Sequence, residues 1–231
     1  MRNKIISVAE AVDMIPDGAT IMYGGFLGCG SAHHIIDALA EKGTKDLTII
    51  GNDCGMATGP LGEEYYGVAK LVHNHQVKHV IATHVGMTPD VGTQGMVDKT
   101  LTVDLIPQGS LAEMIRAGGA GLGGVLTPTG VGTIVEDNKD FCLGKQTIEG
   151  RDYLLMKTVH ADVAIICGNK IDKAGNVWYK GTTRNFNLPM ATAADLVIAE
   201  ADHVVEIGEI EPENVHTYGV FVDYVVDGGK A

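Results

Sequence analysis

Short apolar runs alternate with stretches of helical period through the first half of the chain. Residues 6–15 (ISVAEAVDMI) carry apolar positions at helical spacing, and Pro16-Asp17-Gly18 supplies a stop and a turn. Residues 19–23 (ATIMY) then predict a buried strand. After a glycine-rich segment, residues 32–42 (AHHIIDALAEK) place Ile35, Ile36, Leu39 and Ala40 on one helical face, closed by Gly43. Residues 47–50 predict a second strand, 52–61 a loop, 63–74 a helix and 79–85 a third strand. Glycines interrupt the pattern over 88–99, and a strand (101–106) followed by a helix (110–117) closes this half. Strands and helices alternating at this spacing imply a parallel sheet with helices on both faces, and ligands in such sheets bind at the carboxyl ends of strands.

Past about residue 125 the pattern changes. Strand-like segments at 133–136, 146–148, 153–156 and 163–167, with turns at Asn138-Lys139 and Glu149-Gly150, predict a more antiparallel excursion before the sheet resumes. Lys173-Ala174-Gly175-Asn176 reads as a turn into the strand Val177-Trp178-Tyr179, followed by a helix over 187–194 and a core strand over 196–200. No internal repeat, low-complexity tract or linker divides the chain. Residues 1–231 are therefore expected to form a single domain. Its class is α/β: a three-layer, open, mostly parallel sheet with helices on both faces and a small β-rich excursion in the second half.

Composition adds exclusions. An apolar fraction of 45% and a charged fraction of 20% suit a globular core at 231 residues. The net charge of −12 opposes general attraction to nucleic acid or anionic lipid, so neither is expected as a partner. An anionic ligand would have to be held by local donors or by a second chain. The apolar residues after the opening MRNK are interrupted by Glu10 and Asp13, and no run reaches the length of a membrane span, which makes cytoplasmic location the expectation. Cys29, Cys54, Cys142 and Cys167 lie far apart without a CxxC pair, as free thiols in a reducing compartment would. Cys29, inside the glycine segment, is the candidate reactive thiol.

The main local signal is ATIMY, then Gly24-Gly25-Phe26-Leu27-Gly28-Cys29-Gly30, then a helix. Glycines allow positive φ and close approach, and the N–H groups of a helix start offer donors to phosphate; the same pattern also serves as a tight turn without ligand. No Lys follows Gly30, which excludes the nucleotide P-loop, and the third glycine of a dinucleotide fingerprint is missing. A literal GxGxxG runs from Gly119 to Gly124, but a helix precedes it and Pro128 follows closely, so backbone crossing or tight packing explains it better. His73, His75, His79 and His84 invite a metal reading. Their span crosses from helix into strand, which scatters the side chains, and no metal is expected. His33 and His34 are read as a solvated helix start, either one a candidate ligand contact. Asn52, just after the second strand, and Gln108, just after the strand at 101–106, should both project at the carboxyl edge. Neutral amides there can bond a carbonyl or carboxylate, or merely brace a turn.

With these segments in place, the sequence resembles the family I coenzyme A transferases, specifically their alpha subunits. The resemblance runs over nearly the whole chain and rests on DGATIMYGGFLGCG (residues 17–30), LTIIGNDCG (47–55), IPQGSLAEMIRAGGAGLGGVLTPTGVGT (106–133) and RNFNLPMATAAD (184–195). Asp17, Gly18, Gly24, Gly25, Phe26 and Gly30 match the family's first signature, with Tyr23 where an aliphatic residue is usual and Ala32 where Pro is common. The resemblance implies that residues 24–30 bind coenzyme A as a substrate, with no permanently bound cofactor, and that Asn52 and Gln108 face the reacting group. It also implies a ping-pong transfer between a short-chain acyl-CoA and a carboxylate of the acetate, acetoacetate or butyrate class. The family nucleophile is a glutamate in a Ser-Glu-Asn-Gly type motif of the beta subunit, and no such motif occurs here. A beta subunit is the implied partner, two of each chain the implied assembly. Competing readings are a nicotinamide-dependent oxidoreductase and a non-catalytic scaffold subunit.

Overall fold

The computed structural model describes residues 3–229, so the outermost residues at each end of the expected domain lie outside the described structure. Strand β1 (Ile5–Ile6) leads into helix α1 (Val8–Asp13). Ser7 and Glu10 cap it reciprocally: Ser7 Oγ accepts from Glu10 N and Glu10 Oε2 accepts from Ser7 N. Then come β2 (Thr20–Tyr23), α2 (His33–Lys42), β3 (Leu47–Gly51), the small pair β4 (Met56–Thr58) and β5 (Glu64–Tyr66), and α3 (Ala69–His73). Strand β6 (Val77–Ala82) is followed by α4 (Pro89–Gly92), a π-helical turn (Thr93–Asp98), β7 (Thr102–Leu105) and α5 (Gln108–Gly119). The second half contains β8 (Val125–Thr127), α6 (Ile134–Asp137), β9 (Cys142–Ile148), β10 (Arg151–Met156), β11 (Ala161–Asp172), β12 (Val177–Trp178), α7 (Asn187–Met190), β13 (Ala194–Val205) and β14 (Tyr224–Asp227).

The main sheet runs β1-β14-β13-β11-β2-β3-β6-β7 with every pairing along it parallel; only β12 joins antiparallel, on β11. The period of two along each strand divides the core. Met22, Ile50 and Ile81 point to the face covered by α5, α7 and the small sheet β8-β10-β9; Ile21, Tyr23, Ile49 and Val80 point to the face covered by α1, α2 and α3. The long central strands β11 and β13 are almost continuously apolar through residues 163–167 and 196–199 because both their faces are covered. The three-layer α/β expectation describes this molecule, small antiparallel excursion included.

Several local expectations need correction. Residues 63–74 are not one helix: Tyr65 (φ +52°) and Gly67 (φ +64°) break the chain into β5 and α3, and β5 pairs with a segment that reads as loop. The segment expected as strand over 133–136 instead forms helix α6 (Ile134–Asp137) with Thr133 as its N-cap. The β-branched residues there are outweighed by Thr133, whose side chain accepts from Val135 N, and by Glu136 and Asp137 in the first turn. Residues 163–167 belong to the centre of the parallel sheet, not to the antiparallel excursion. The helix over 187–194 stops at Met190, where the chain turns into β13.

Helix α5 runs on to Gly119, past its expected end at 117, and other parts of the chain pass close against its last two residues. A Cβ on Gly118 would lie 2.1 Å from the Val159 carbonyl oxygen, and one on Gly119 2.2 Å from Thr192 Oγ1. The GxGxxG match thus leaves a helix and enters a strand, the reverse of a dinucleotide site. Gly118→Ala is expected to cost about 1–3 kcal/mol through overpacking, read as a lower denaturation midpoint at unchanged m-value.

Candidate functional site

Three neighbouring loops leave the carboxyl edge of the main sheet. After Tyr23 comes the glycine segment, after Gly51 comes Asn52-Asp53, and after β7 the chain passes Pro107 into Gln108, the first residue of α5. One chain of hydrogen bonds joins them. Leu27 N donates to Asp53 Oδ2 (2.8 Å), Asn52 Nδ2 donates to the same oxygen (2.9 Å), and Gln108 Nε2 donates to Asn52 Oδ1. Thr83 Oγ1 donates to the Asn52 carbonyl (2.8 Å), and Gly55 N donates to Asp53 Oδ1 (2.8 Å). The two candidate amides are therefore brought together, and to the glycine segment, with different freedom. Asn52 is 2% exposed and its oxygen is engaged, whereas Gln108 is exposed and, among the described residues, its side chain bonds only Asn52. Its second amide hydrogen and its carbonyl oxygen can meet a ligand.

Within the glycine segment, Phe26 and Cys29 exchange both backbone hydrogen bonds (3.1 and 2.9 Å) across Leu27 (φ +47°) and Gly28 (φ +79°), a tight hairpin of the I′ kind. Its base is clamped by asparagines. Asn185 Oδ1 accepts from Gly25 N (3.1 Å) and its Nδ2 donates to Cys29 O (2.9 Å); Asn187 Nδ2 donates to Gly30 O (2.8 Å) while its Oδ1 accepts from Cys167 N (2.9 Å). Gly24 is required by that clamp, since a Cβ there would lie 1.7 Å from Asn187 Oδ1. Gly30, at φ +76°, would drive a Cβ to 2.7 Å from the Thr183 carbonyl oxygen.

These bonds use most of the donors that a phosphate cradle would need. The N–H groups of Gly24, Gly25, Phe26, Leu27 and Cys29 are all engaged within the chain. At the start of α2 an internal carboxylate takes the anion's place: Glu200, 4% exposed, accepts from Ile35 N through Oε2 (2.9 Å) and bonds His34 Nδ1 through Oε1 (3.0 Å). His33 is not merely solvated either; its Nε2 meets the Gly28 carbonyl (3.0 Å) and its ring packs 4.5 Å from that of Tyr66.

The remaining histidines are dispersed. His73 pairs with Asp90 (2.8 Å) and stacks on Tyr65, while His79 pairs with Asp104 (2.7 Å). Among the described residues no cluster of three or more His, Cys, Asp or Glu side chains converges as metal ligands would, and no helix is long and apolar enough to cross a membrane.

Asn185 and Asn187 carry no role in the sequence reading beyond the RNFN block, and Asp53 none beyond its place beside Asn52. Their signal is weak: two asparagines separated by one residue, in a segment without regular period. Of the four thiols only Cys29 is exposed. Burial, and secondarily the Asp53 carboxylate, push the Cys54 thiol up to about 12, so it stays protonated and unreactive well above neutral pH. Iodoacetamide applied to the native chain at pH 8 should label Cys29 alone, read by peptide mass spectrometry; denaturation should release all four.

Comparison with known proteins converges on one family. The family described as coenzyme A transferase matches residues 5–228. The acetoacetyl-CoA:acetate/butyrate CoA transferase alpha subunit of Clostridium acetobutylicum is 47% identical over 227 residues, covering 98% of each chain. The acetate CoA-transferase subunit alpha of Escherichia coli is 41% identical over 226 residues, covering 98% of this chain and 97% of that one. In structure, an acyl-CoA transferase of E. coli O157:H7, solved as a thioester complex with CoA, superposes with a TM-score of 0.84 at 24% identity. It covers 98% of this chain, which spans only 47% of the larger one and shares its fold. A match over almost the whole length, with relatives above 40% identity, places this chain in the coenzyme A transferase family.

Proposed function

We propose that this chain is the alpha subunit of a two-chain transferase that moves coenzyme A between a short-chain acyl-CoA and a carboxylate of the acetate, acetoacetate or butyrate class. The observation that carries this reading is the continuous path Leu27–Asp53–Asn52–Gln108, which fixes the glycine segment and the exposed Gln108 amide in one rigid frame. The names of the relatives at 47% and 41% identity support the substrate class and the need for a beta subunit.

In this reading residues 24–30 border the bound coenzyme A, Gln108 meets the reacting carbonyl or carboxylate, and Asn52 holds Gln108 in place. The partner's glutamate attacks the thioester carbon to give a mixed anhydride and free thiolate. The thiolate then attacks the glutamyl carbonyl, releasing the carboxylate product and leaving a glutamyl-CoA thioester, and a carboxylate acceptor reverses both steps. Both intermediates hydrolyse readily, so a cleft closed between two chains is needed to exclude water. Assembly as two alpha and two beta chains in the cytoplasm accords with this chemistry.

The test is a substrate panel on the pair co-purified with its beta subunit. Transfer from acetoacetyl-CoA or butyryl-CoA to acetate at rates well above those for dicarboxylates supports the reading. Preference for a dicarboxylate would remove the assigned class.

A further inference from the structure

Strand β2 ends opposite Ile165, but its neighbour β11 continues to Asp172, with β13 beside it. Along the face that carries α2, the residues of β11 run Val163, Ile165, Cys167, Asn169, and those of β13 run Ile198, Glu200, Asp202. Both strands switch from apolar to polar within two residues. Glu200 marks the switch, since it caps the start of α2. What lies there is a cavity of about 230 Å³, bounded on one side by the glycine segment and on the other by Asn169, Asp202, His33 and Tyr66.

The chemistry of this cavity differs from that of an anion site. No Lys or Arg lines it, and the strands bring the Asn169 and Asp202 side-chain acceptors to it. Asn169 Nδ2 donates to Asp202 Oδ2 (3.1 Å), which leaves the Asn169 side-chain oxygen as an acceptor beside a carboxylate. Phosphate oxygens brought to such a floor meet like charge and lone pairs. Amide N–H and hydroxyl groups meet acceptors, and the Tyr66 and His33 rings offer apolar walls to methylene groups.

We propose that this cavity seats the amide-bearing pantetheine arm of coenzyme A, through acceptors on Asn169 and Asp202, and that the phosphates lie outside it. The proposal rests on the coenzyme A reading of residues 24–30 and specifies which part of the molecule that segment borders. It also fits a glycine segment most of whose N–H groups are engaged within the chain: the segment shapes one wall of the cavity, and the strands behind it supply the side-chain acceptors.

The test uses the assembled two-chain enzyme with Asp202→Asn and, as a second variant of different chemistry, Asn169→Leu, each checked for an unchanged melting midpoint. S-methylpantetheine and adenosine 3′,5′-bisphosphate serve as separate inhibitors against acetoacetyl-CoA. Loss of an acceptor should weaken inhibition by S-methylpantetheine and raise the KM for acetoacetyl-CoA by about tenfold, as loss of a hydrogen bond does. The KM for acetate and inhibition by the bisphosphate should stay as in the parent. Unchanged S-methylpantetheine inhibition in a folded variant overturns the proposal, as does a selective change in bisphosphate inhibition, which would put phosphate in the cavity. A parent pair that transfers no coenzyme A overturns the underlying reading as well, and that failure is seen before any variant is made.

Discussion

Purified by itself, the chain is expected to show no acyl-CoA:carboxylate transfer, and addition of its beta subunit should raise the rate by at least ~10⁴-fold, the scale on which removing a nucleophile acts. Part of the physical reason lies in the two buried carboxylates nearest the glycine segment and the start of α2. Asp53 accepts from Leu27 N and Asn52 Nδ2 on one oxygen and from Gly55 N on the other, so its lone pairs are directed at fixed donors inside the protein. Glu200 is buried and holds the start of α2. A carboxylate stabilised in this way is a poor nucleophile, and freeing it would break the frame that positions the site. Neither can replace a glutamate that approaches from a second chain. Transfer assays on the isolated chain, before and after mixing with the partner, check this directly; substantial turnover without the partner would relocate the chemistry.

Gln108→Ala is expected to lower kcat by roughly 10²–10³-fold, the cost of removing one donor at a developing oxyanion. Its melting midpoint should stay within experimental scatter, because the side chain is exposed and its one bond is to Asn52. Asn52→Ala should behave differently. It removes a donor from the buried Asp53 carboxylate and frees the exposed Gln108 amide from its anchor, so turnover falls and stability falls with it, by about 1–3 kcal/mol for the buried bond. The contrast separates a residue that touches the reacting group from one that positions it. Equal turnover in Gln108→Ala and parent enzyme would remove the amide from the site.

The parts of this molecule legible in its sequence are those governed by period and local chemistry. ATIMY, LTII and the run expected over 79–85 read as strands because their apolar runs are short and bounded, although β6 (Val77–Ala82) starts earlier and stops at Ala82; α2 reads as a helix because Ile35, Ile36 and Leu39 share a face before Gly43. Segments of three or four residues were beyond such reading: β4 and β5 pair only with each other, and α6 depends on one capping threonine inside a β-branched run.

The site divides along the same line. Loop positions after strands are enough to bring Asn52, Gln108 and the glycine segment to one edge. The clamp by Asn185 and Asn187 is not visible, because it joins residues about 160 positions apart through single side-chain bonds. The role of Glu200 is hidden for a related reason. In sequence it is a charged residue at the end of an apolar strand; only the placement of α2 against β13 turns it into a buried cap.

In the proposed division of labour this chain supplies the frame and the coenzyme A wall while its partner supplies the nucleophile. Incubating the assembled enzyme with acetoacetyl-CoA and no acceptor should accumulate the covalent thioester intermediate, which intact-protein mass spectrometry locates chain by chain. The expected result is a coenzyme A adduct on the beta subunit and none on this chain; an adduct on a carboxylate of this chain would contradict the account.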